Sequence, residues 1–369
     1  THDLFLCSKY QIPNTKLLLR QNNLGSCTIG LLTINVQDNE LAFLKSGDGA
    51  YTVGFGPFEQ SSSPPDTGIA FYCNDFALTD PQPWKIPARI EEVESLADIG
   101  IEAAAYEINW DELEPDEFAE VFGEINEMIG RGVMEKSVPV ATERGVFSQG
   151  RGRDMLISMK PLGAPFHTYG WRREGLGFCG TTPEVLFRLS GKNLSTMALA
   201  GTAKAEEREV FAVDGKEIRE HEFVAQTLVA KLSDIGTVTR SKRAIMDLGQ
   251  LVHFHTPIEV ELFDKRMVDD LIRRLHPTPA LGPLPRTGET LALLAEWRER
   301  LGCPPCFGAP FGLLKDGEFT SVVAIRGVHW DRLNVSIPSG CGVIEASRLV
   351  NEWRELRLKR EAVKQTLGL

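Results

Sequence analysis

The chain has 369 residues, of which 42% are apolar and 25% are charged. This composition is typical of a globular protein with a sizeable core, and the length fits one large domain or two ordinary ones. The formal net charge is −11, from 40 Lys and Arg against 51 Asp and Glu. A general binder of nucleic acid or of anionic membranes needs a basic face, so the charge argues against both.

Signals for membrane insertion and export are not evident in this sequence. It has no run of 18 apolar residues and no basic start followed by an apolar run, so we expect neither a membrane span nor a secretory leader. The cysteines are odd in number and scattered, which predicts no disulfide framework and a cytoplasmic protein. They are Cys7, Cys27, Cys73, Cys179, Cys303, Cys306 and Cys341.

The first 90 residues are rich in strand patterns. Short apolar or alternating runs between turn-forming residues predict strands at Leu17–Arg20, Thr28–Val36 and Ile69–Tyr72. The proline-rich piece Asp80–Pro87 indicates a loop, and Ile90–Ile99 has helical texture.

A strong helix pattern begins at Asp116, a plausible N-cap, and Gly130 with Gly132 ends it. Later helices are predicted from about Gly215 to Leu232 and from about Ser347 to Leu367. A polar helix is expected at Thr290–Arg300, and strands at Lys136–Thr142, Met155–Met159, Val185–Leu189, Leu194–Leu199, Ser321–Ile325 and Leu333–Ile337. Because strands and helices mix without a regular βαβ repeat, we predict an α+β fold in one domain.

Two of these helices each carry a pair of glutamates on one face. Glu217 and Glu220 lie three residues apart, as do Glu352 and Glu355. Four carboxylates from two helices suit a hard divalent cation such as Mg²⁺. Spacing alone favours solvated helix faces instead, because charged helix faces are common. Their ion pairs would be Lys216–Glu220 and Glu355–Lys359.

Other patterns have a structural and a functional interpretation. His253 and His255 would lie on one side of a strand, but the lack of a third ligand favours separate roles over a metal pair. Cys303 and Cys306 form a single C-x-x-C pattern with no second cysteine pair, so we interpret them as structural. Arg326 closes an apolar strand, as an edge residue or a carboxylate clamp.

Lys136 lies in strand-like sequence, where it is either an exposed edge lysine or a buried lysine that can act as a base. Glycines at Gly201 and at Gly340–Gly342 follow strands and suit tight turns or anion contacts through backbone N–H groups. Neither stretch matches a dinucleotide fingerprint or a P-loop.

In combination, these segments resemble the chorismate-utilising enzyme family, which includes the large subunit of anthranilate synthase, an aminodeoxychorismate synthase component, salicylate synthase and isochorismate synthase. The resemblance covers about residues 116–369, and residues 1–115 match only in general character. The motifs that carry it, in order, are Phe178-Cys-Gly-Thr-Thr-Pro-Glu184, Ala198-Leu-Ala-Gly-Thr202, Asp214-Gly-Lys-Glu-Ile-Arg-Glu-His221, Val252-His253, Leu275-His-Pro-Thr-Pro-Ala-Leu281, Leu284-Pro-Arg286, Val323-Ala-Ile-Arg326, Gly340-Cys-Gly342, and Asn351-Glu-Trp-Arg-Glu355 with Lys359.

Within that family the chain is most similar to isochorismate synthase. The stretch Leu275–Leu281 followed by Pro285-Arg286 resembles that branch, and Ala200 stands where aminodeoxychorismate synthases often have a nucleophilic Lys. No glutamine amidotransferase module or tryptophan-binding motif is evident, so no amidotransferase partner is expected. Departures from the family pattern are Ala203-Lys204, Phe307 and Cys341.

The resemblance implies a single α+β domain with stacked antiparallel sheets and outer helices. It also implies a Mg²⁺-dependent isomerase that converts chorismate to isochorismate, by water attack at C2 and loss of the C4 hydroxyl. The product would feed menaquinone, siderophore or salicylate synthesis. Alternatives are a salicylate synthase, which also eliminates pyruvate, and a non-catalytic chorismate-binding protein.

Site roles also follow from the resemblance. Lys136 lies where the family has its general base and Glu184 where it has its general acid, while His253 would orient the leaving hydroxyl or Glu184. Glu220 and Glu355 would bind Mg²⁺, with Glu217 and Glu352 holding metal-bound waters. The substrate would contact Gly201, Thr202, Ala280, Leu281, Arg326, Gly340, Gly342 and Lys359.

Overall fold

Antiparallel strand pairing organises most of the molecule. The computed structural model describes residues 40–160 and 162–369 in full, and the backbone alone of Thr15–Gln21 and Cys27–Thr33. Within this part of the chain, seventeen strands form one continuous hydrogen-bonded network, and two further pairs of strands stand beside it.

The strands follow one another along the chain with a few helices between them. The first eleven are β1 (Thr15–Gln21), β2 (Cys27–Thr33), β3 (Glu40–Ser46), β4 (Tyr51–Ser61), β5 (Ala70–Cys73), β6 (Trp84–Val93), β7 (Glu107–Trp110), β8 (Lys136–Ser137), β9 (Val140–Gln149), β10 (His167–Arg173) and β11 (Leu176–Thr182). The rest are β12 (Val185–Ser190), β13 (Asn193–Lys204), β14 (Gly236–Arg240), β15 (Ala244–Asp247), β16 (Leu251–Leu262), β17 (Pro310–Lys315), β18 (Glu318–Val323), β19 (Gly327–Asp331), β20 (Asn334–Gly340) and β21 (Val343–Ile344).

The α-helices of the described residues lie mainly in the second half of the chain. They are α1 (Asp116–Gly130), α2 (Gly152–Ile157), α3 (Arg208–Phe211), α4 (Gly215–Leu232), α5 (Val268–Leu275), α6 (Gly288–Arg300) and α7 (Leu349–Leu367). None of the helices that the structure describes is long and apolar enough to cross a membrane.

The longest strand pair, β13 with β16, forms the floor on which α4 lies. The pairing runs from Asn193 opposite Glu261 to Lys204 opposite Leu251, and it shifts by one residue at Gly201. Gly201 has φ +76°, a left-handed conformation that glycine adopts without steric cost. This β-bulge places Thr202 directly opposite His253.

Helix α4 is anchored at its start and buried along one face. The carboxylate of Asp214 caps it by accepting the N–H groups of Lys216 and Glu217 at 2.9 and 3.1 Å. Further along, the side chains on the inner face pack against β13 and β16 in the largest core cluster. They are Val224, Ala225, Leu228 and Leu232.

A second core cluster is separate from the first. It joins residues of β3, β4, β9, β11, β19 and β20 with α2, and Val363 of α7 packs against it. An aromatic-rich cluster that includes Tyr169, Phe178 and Phe311 fills the space between strands. The antiparallel strand network with the helices that pack on it confirms the predicted α+β class.

Most predicted elements are present with small changes in their bounds. The helices at Gly215–Leu232 and in the last stretch of the chain are confirmed, as is the polar helix before Leu301. The predicted strand Thr28–Val36 is described only as far as Thr33, and the remainder lies outside the described residues. The described cysteines are free.

The predicted strand at Met155–Met159 is wrong, because this run lies in and just after the short helix α2. The Asp154 carboxylate accepts the N–H groups of Arg151 and Ala104 at 3.0 and 3.1 Å, which fixes the helix start. Met155, Leu156, Ile157 and Met159 are buried, and so short an apolar stretch has no periodicity that separates a strand from a buried helix.

Three further expectations need correction. The predicted loop Asp80–Pro87 ends at Trp84, where β6 begins, and Ile90–Ile99 is the end of β6 followed by a single 3₁₀ turn at Leu96–Ile99. Pairing with β4 overrides the helical texture there. Asp116 is the first residue of α1 rather than its cap, which is Pro115.

The inner face of α4 provides a test of the core. We expect Leu228→Ala to lower the free energy of unfolding by about 2–5 kcal/mol, since Leu228 is fully buried and its loss leaves a cavity. Gln226→Ala, on the exposed face of the same helix, should change it by less than about 0.5 kcal/mol. Urea unfolding measures both; equal effects would contradict the helix orientation.

Candidate active site

A pocket opens where the β13 bulge, β16, β20 and α7 meet. All but three of the residues that the resemblance assigns to the site line this pocket. The lining members are Glu184, Gly201, Thr202, Glu220, His253, Ala280, Leu281, Arg326, Gly340, Gly342, Glu355 and Lys359. The three others are Lys136, which stands behind Glu220, and Glu217 and Glu352, which line a second, outer cavity.

Glu184 lies in the two-residue gap between β11 and β12. Its own N–H donates to the hydroxyl of Thr182 at 3.1 Å, and its carbonyl accepts the N–H of Val323 at 3.0 Å. The side chain is only 4% exposed and lies 3.5 Å from the hydroxyl of Thr278. Burial raises the pKa of Glu184 to about 7, although the positive charge of Lys136 opposes the shift. Glu184 therefore suits a proton donor near neutral pH.

His253 on β16 is held between two partners that fix its protonation. Nδ1 lies 2.6 Å from the carbonyl oxygen of Gly201, and Nε2 lies 2.8 Å from the guanidinium of Arg326. Since a guanidinium only donates, Nε2 is the acceptor, and the proton resides on Nδ1, which donates to Gly201. Burial and the charge of Arg326 lower the pKa of His253 well below its usual value, so the ring is neutral.

Lys136 is completely buried and not at an exposed edge. Its strand β8 pairs with β21, and its backbone exchanges hydrogen bonds with Leu284. The ammonium donates to Glu220 Oε1 at 3.1 Å. Gly342 makes room for this pair, because a Cβ at that position would collide with the Glu220 carboxylate and lie 2.8 Å from Lys136 Cε.

The four predicted metal-binding carboxylates come together between α4 and α7. Their side chains are between 2% and 14% exposed, so these are not solvated helix faces. The two ion pairs expected from spacing are nevertheless present. Lys216 lies 3.2 Å from Glu220, and Lys359 lies 2.6 Å from Glu355 and donates to the carbonyl of Gly340.

Lys216 contacts more of this cluster than its helix spacing predicts. Its Nζ lies 2.9 Å from Glu217 Oε1 and 3.2 Å from Glu352 Oε1, besides the contact to Glu220. Burial would lower the pKa of Lys216, but the surrounding carboxylates raise it well above its usual value. Burial raises the pKa of Glu217 and of Glu352, whereas Lys136 and Lys216 together overcome burial and lower the pKa of Glu220.

The donor atoms of the cluster suit Mg²⁺, which prefers carboxylate oxygens. One oxygen of the cluster, Glu352 Oε2, is buried without a hydrogen-bond partner in the described part of the chain. In the present arrangement the described residues contain no three His, Cys, Asp or Glu side chains at ligand geometry. The chemistry therefore fits a hard cation, and the side chains are arranged around an ammonium.

Several features of the site were not predicted from the sequence. Thr278 beside Glu184, Ser339 in the pocket wall and the triple contact of Lys216 depend on distant segments meeting. Thr278 and Lys216 belong to the motifs Leu275–Leu281 and Asp214–His221, and Ser339 directly precedes Gly340-Cys-Gly342. The other paired patterns are outside the pocket lining: His255 is half-buried on β16, and Cys303 and Cys306 flank the turn after α6.

Comparison with known proteins supports the resemblance. A family model described as chorismate binding enzyme matches residues 84–368. The isochorismate synthase EntC of Escherichia coli K12 is 27% identical over 254 residues, which are 65% of this chain and 63% of that protein. The salicylate biosynthesis isochorismate synthase of Pseudomonas aeruginosa is 31% identical over 213 residues, 54% of this chain and 44% of that protein. The chain thus spans less than two thirds of these relatives.

Solved structures share the fold at low identity. The menaquinone-specific isochorismate synthase MenF of Escherichia coli has a TM-score of 0.73 at 16% identity, covering 96% of this chain and 95% of that one. Anthranilate synthase component I of Streptococcus pneumoniae has a TM-score of 0.60 at 13% identity, covering 100% and 95%. Because the family model matches most of its length, the chain belongs to the chorismate-binding enzyme family.

Proposed function

We propose that this protein is an isochorismate synthase, a cytoplasmic isomerase that converts chorismate to isochorismate without an amidotransferase partner. The observation that carries the proposal is the pocket itself. It places a buried, easily protonated carboxyl group, Glu184, with the Lys136–Glu220 pair close to the neutral His253 and the cationic Arg326. The names of the relatives, isochorismate synthases, support the same reaction.

Substrate recognition would depend on local positive charge inside an acidic protein. Chorismate carries two carboxylates, and Arg326 and Lys359 both line the pocket. Arg326 has φ +56°, and its guanidinium is held by His253, so its direction is fixed before a ligand arrives. Backbone groups at the Gly201 bulge and at Gly340 and Gly342 leave the walls free of side chains where a carboxylate would approach.

The reaction needs one proton added and one removed. Water attacks C2 of the ring, the ring double bonds shift, and the C4 hydroxyl leaves as water when it receives a proton. Glu184 would supply that proton, because burial keeps it protonated near neutral pH. His253 cannot take that role, since its Nδ1 proton is held by Gly201; it positions Arg326 and the leaving group.

Lys136 would accept the proton of the attacking water. To do so, Lys136 must first leave its ion pair with Glu220 as a neutral amine. Glu220 lies between Lys136 and the pocket. Full burial of the side chain excludes bulk water as a competing proton source. The attacking water would reach Nζ beside Glu220, next to the gap that Gly342 leaves.

Magnesium would be held by Glu220 and Glu355, with Glu217 and Glu352 binding metal-coordinated waters. When bound, it would neutralise the ring carboxylate and the acidic cluster. The chain's own residues would select water as the nucleophile. Ala280 and Leu281 line the pocket, and Ala200 has no side-chain amine that could attack the ring. Phe307 also lines the pocket. Cys341 packs into the core beside α1 and is not part of the pocket lining.

The first test is product analysis. We expect the purified protein to convert chorismate to isochorismate with Mg²⁺, to release no pyruvate, and to stop when EDTA removes the metal. Chromatography of the products, with and without EDTA, measures this. Salicylate with pyruvate would instead identify a salicylate synthase, and chorismate binding without turnover would identify a binding protein.

Two substitutions test the proton transfers. Glu184→Gln should reduce turnover at least about 100-fold and leave chorismate binding in place, because an amide has the shape of the neutral acid but no proton to give. Lys136→Met should remove turnover to a similar degree, because the base is lost. Melting temperatures control for folding. Near-normal turnover in either folded variant would refute the role assigned to that residue.

The pH profile tests the protonation state of the acid. The folded pKa of Glu184 is raised to about 7, so the donor is present below that pH and is lost as the pH rises through it. We therefore expect kcat/KM, which reports on the free enzyme, to fall along a limb with a midpoint near 7. A profile that stays flat from about pH 6 to about pH 8 would contradict the assignment.

A further inference from the structure

The ammonium of Lys216 occupies the point where three of the four clustered carboxylates converge. It lies 2.9 Å from Glu217, 3.2 Å from Glu220 and 3.2 Å from Glu352. Glu217 and Glu220 belong to α4, as Lys216 does, and Glu352 belongs to α7. A lysine that only paired along its helix would not reach Glu352, so the contact joins the two helices.

The other nearby cations are committed elsewhere. Lys136 pairs with Glu220 from the buried side, and Lys359 pairs with Glu355. Among the described ion pairs, Lys216 is the one that serves Glu217 and Glu352. Glu352 is 1% exposed, its second oxygen has no hydrogen-bond partner among the described residues, and Lys216 is its ion-pair partner among them.

We propose that Lys216 is the built-in cation of this cluster and that a divalent cation enters by displacing its ammonium. This inference rests on the proposed function for the identity of the metal. A hard cation binds carboxylate oxygens at about 2.1 Å. The ammonium of Lys216 donates to Glu220, one of the two direct ligands proposed, and so blocks that ligand position, and the two positive charges repel each other across a few ångströms. Metal and ammonium therefore exclude one another.

The displaced side chain has a place to go. Lys216 lines the outer cavity, which meets the inner pocket at Thr202 and Glu355. Its flexible four-carbon stem lets the ammonium swing into that solvent-filled space without a backbone shift. Lys216 thus keeps the carboxylates together without metal and, as a competitor, lowers the affinity for metal.

Direct metal binding tests the competition. Lys216→Met should tighten binding of Mn²⁺, measured by the electron paramagnetic resonance signal of the free ion, by at least about tenfold, because a bound competitor is removed. Lys204→Met is the matched control, since Lys204 lines the same outer cavity but, among the described residues, forms an ion pair only with Glu206, at 3.3 Å. Equal affinity in the two variants, or Mn²⁺ binding to neither, overturns the proposal.

Thermal unfolding gives a second readout that needs no substrate. Without metal, Lys216→Met should melt below Lys204→Met, because the buried Glu217 and Glu352 lose their ion pairs with Lys216. Saturating Mg²⁺ should raise the melting temperature of Lys216→Met more than that of the control. A smaller or equal rise would show that metal and lysine do not share the site.

The wild-type protein supplies a test if Lys216→Met does not fold. Acetylation of lysines followed by mass spectrometry should show Lys216 labelled several-fold faster with Mg²⁺ than with EDTA, while Lys204 is unchanged. Unchanged or slower labelling of Lys216 overturns the proposal. Turnover of chorismate is scored separately: displacement without isochorismate removes only the proposed function, and isochorismate without displacement removes only this inference.

Discussion

Charge compensation between α4 and α7 is the constraint on which the rest of the site depends. Four glutamates are taken out of water in a space bounded by two helices, and unpaired carboxylates there would be strongly unfavourable. Three lysines meet them from three directions: Lys136 from a short strand, Lys216 from within α4 and Lys359 from within α7. The buried glutamates are therefore compensated only when β8, α4 and α7 are all in place and bring the three lysines to them.

The same residues serve folding and recognition. The apolar face of α4 packs on β13 and β16, and that packing carries the acidic first turns of the helix to the pocket rim. Opposite them, β16 supplies His253, and the loop before β19 supplies Arg326. Because each group is buried and hydrogen-bonded before a ligand enters, little reorganisation is needed when charge appears on the substrate.

Much of this was predictable from sequence where the signal is local. The helical period of the apolar residues and the Asp214 cap define α4. The order of the short motifs identifies the family and most of the pocket lining. Two kinds of feature were not predictable. Met155–Ile157 has no periodicity to distinguish a buried helix from a strand, and β6 adopts its conformation because β4 pairs with it. The contact of Lys216 with Glu352 joins segments far apart in sequence, so spacing within one helix could not reveal it.

The bulge at Gly201 makes the site sensitive to chain length as well as to residue type. Beyond it the pairing of β13 with β16 is offset by one, so Ala200 lies opposite Phe254 while Thr202 lies opposite His253. Side chains alternate between the faces of a strand, so losing one residue between Asn193 and Ala200 would shift that part of β13 against β16 and turn its side chains to the opposite face. Homologous chains should therefore tolerate substitutions along β13 more readily than insertions or deletions within it.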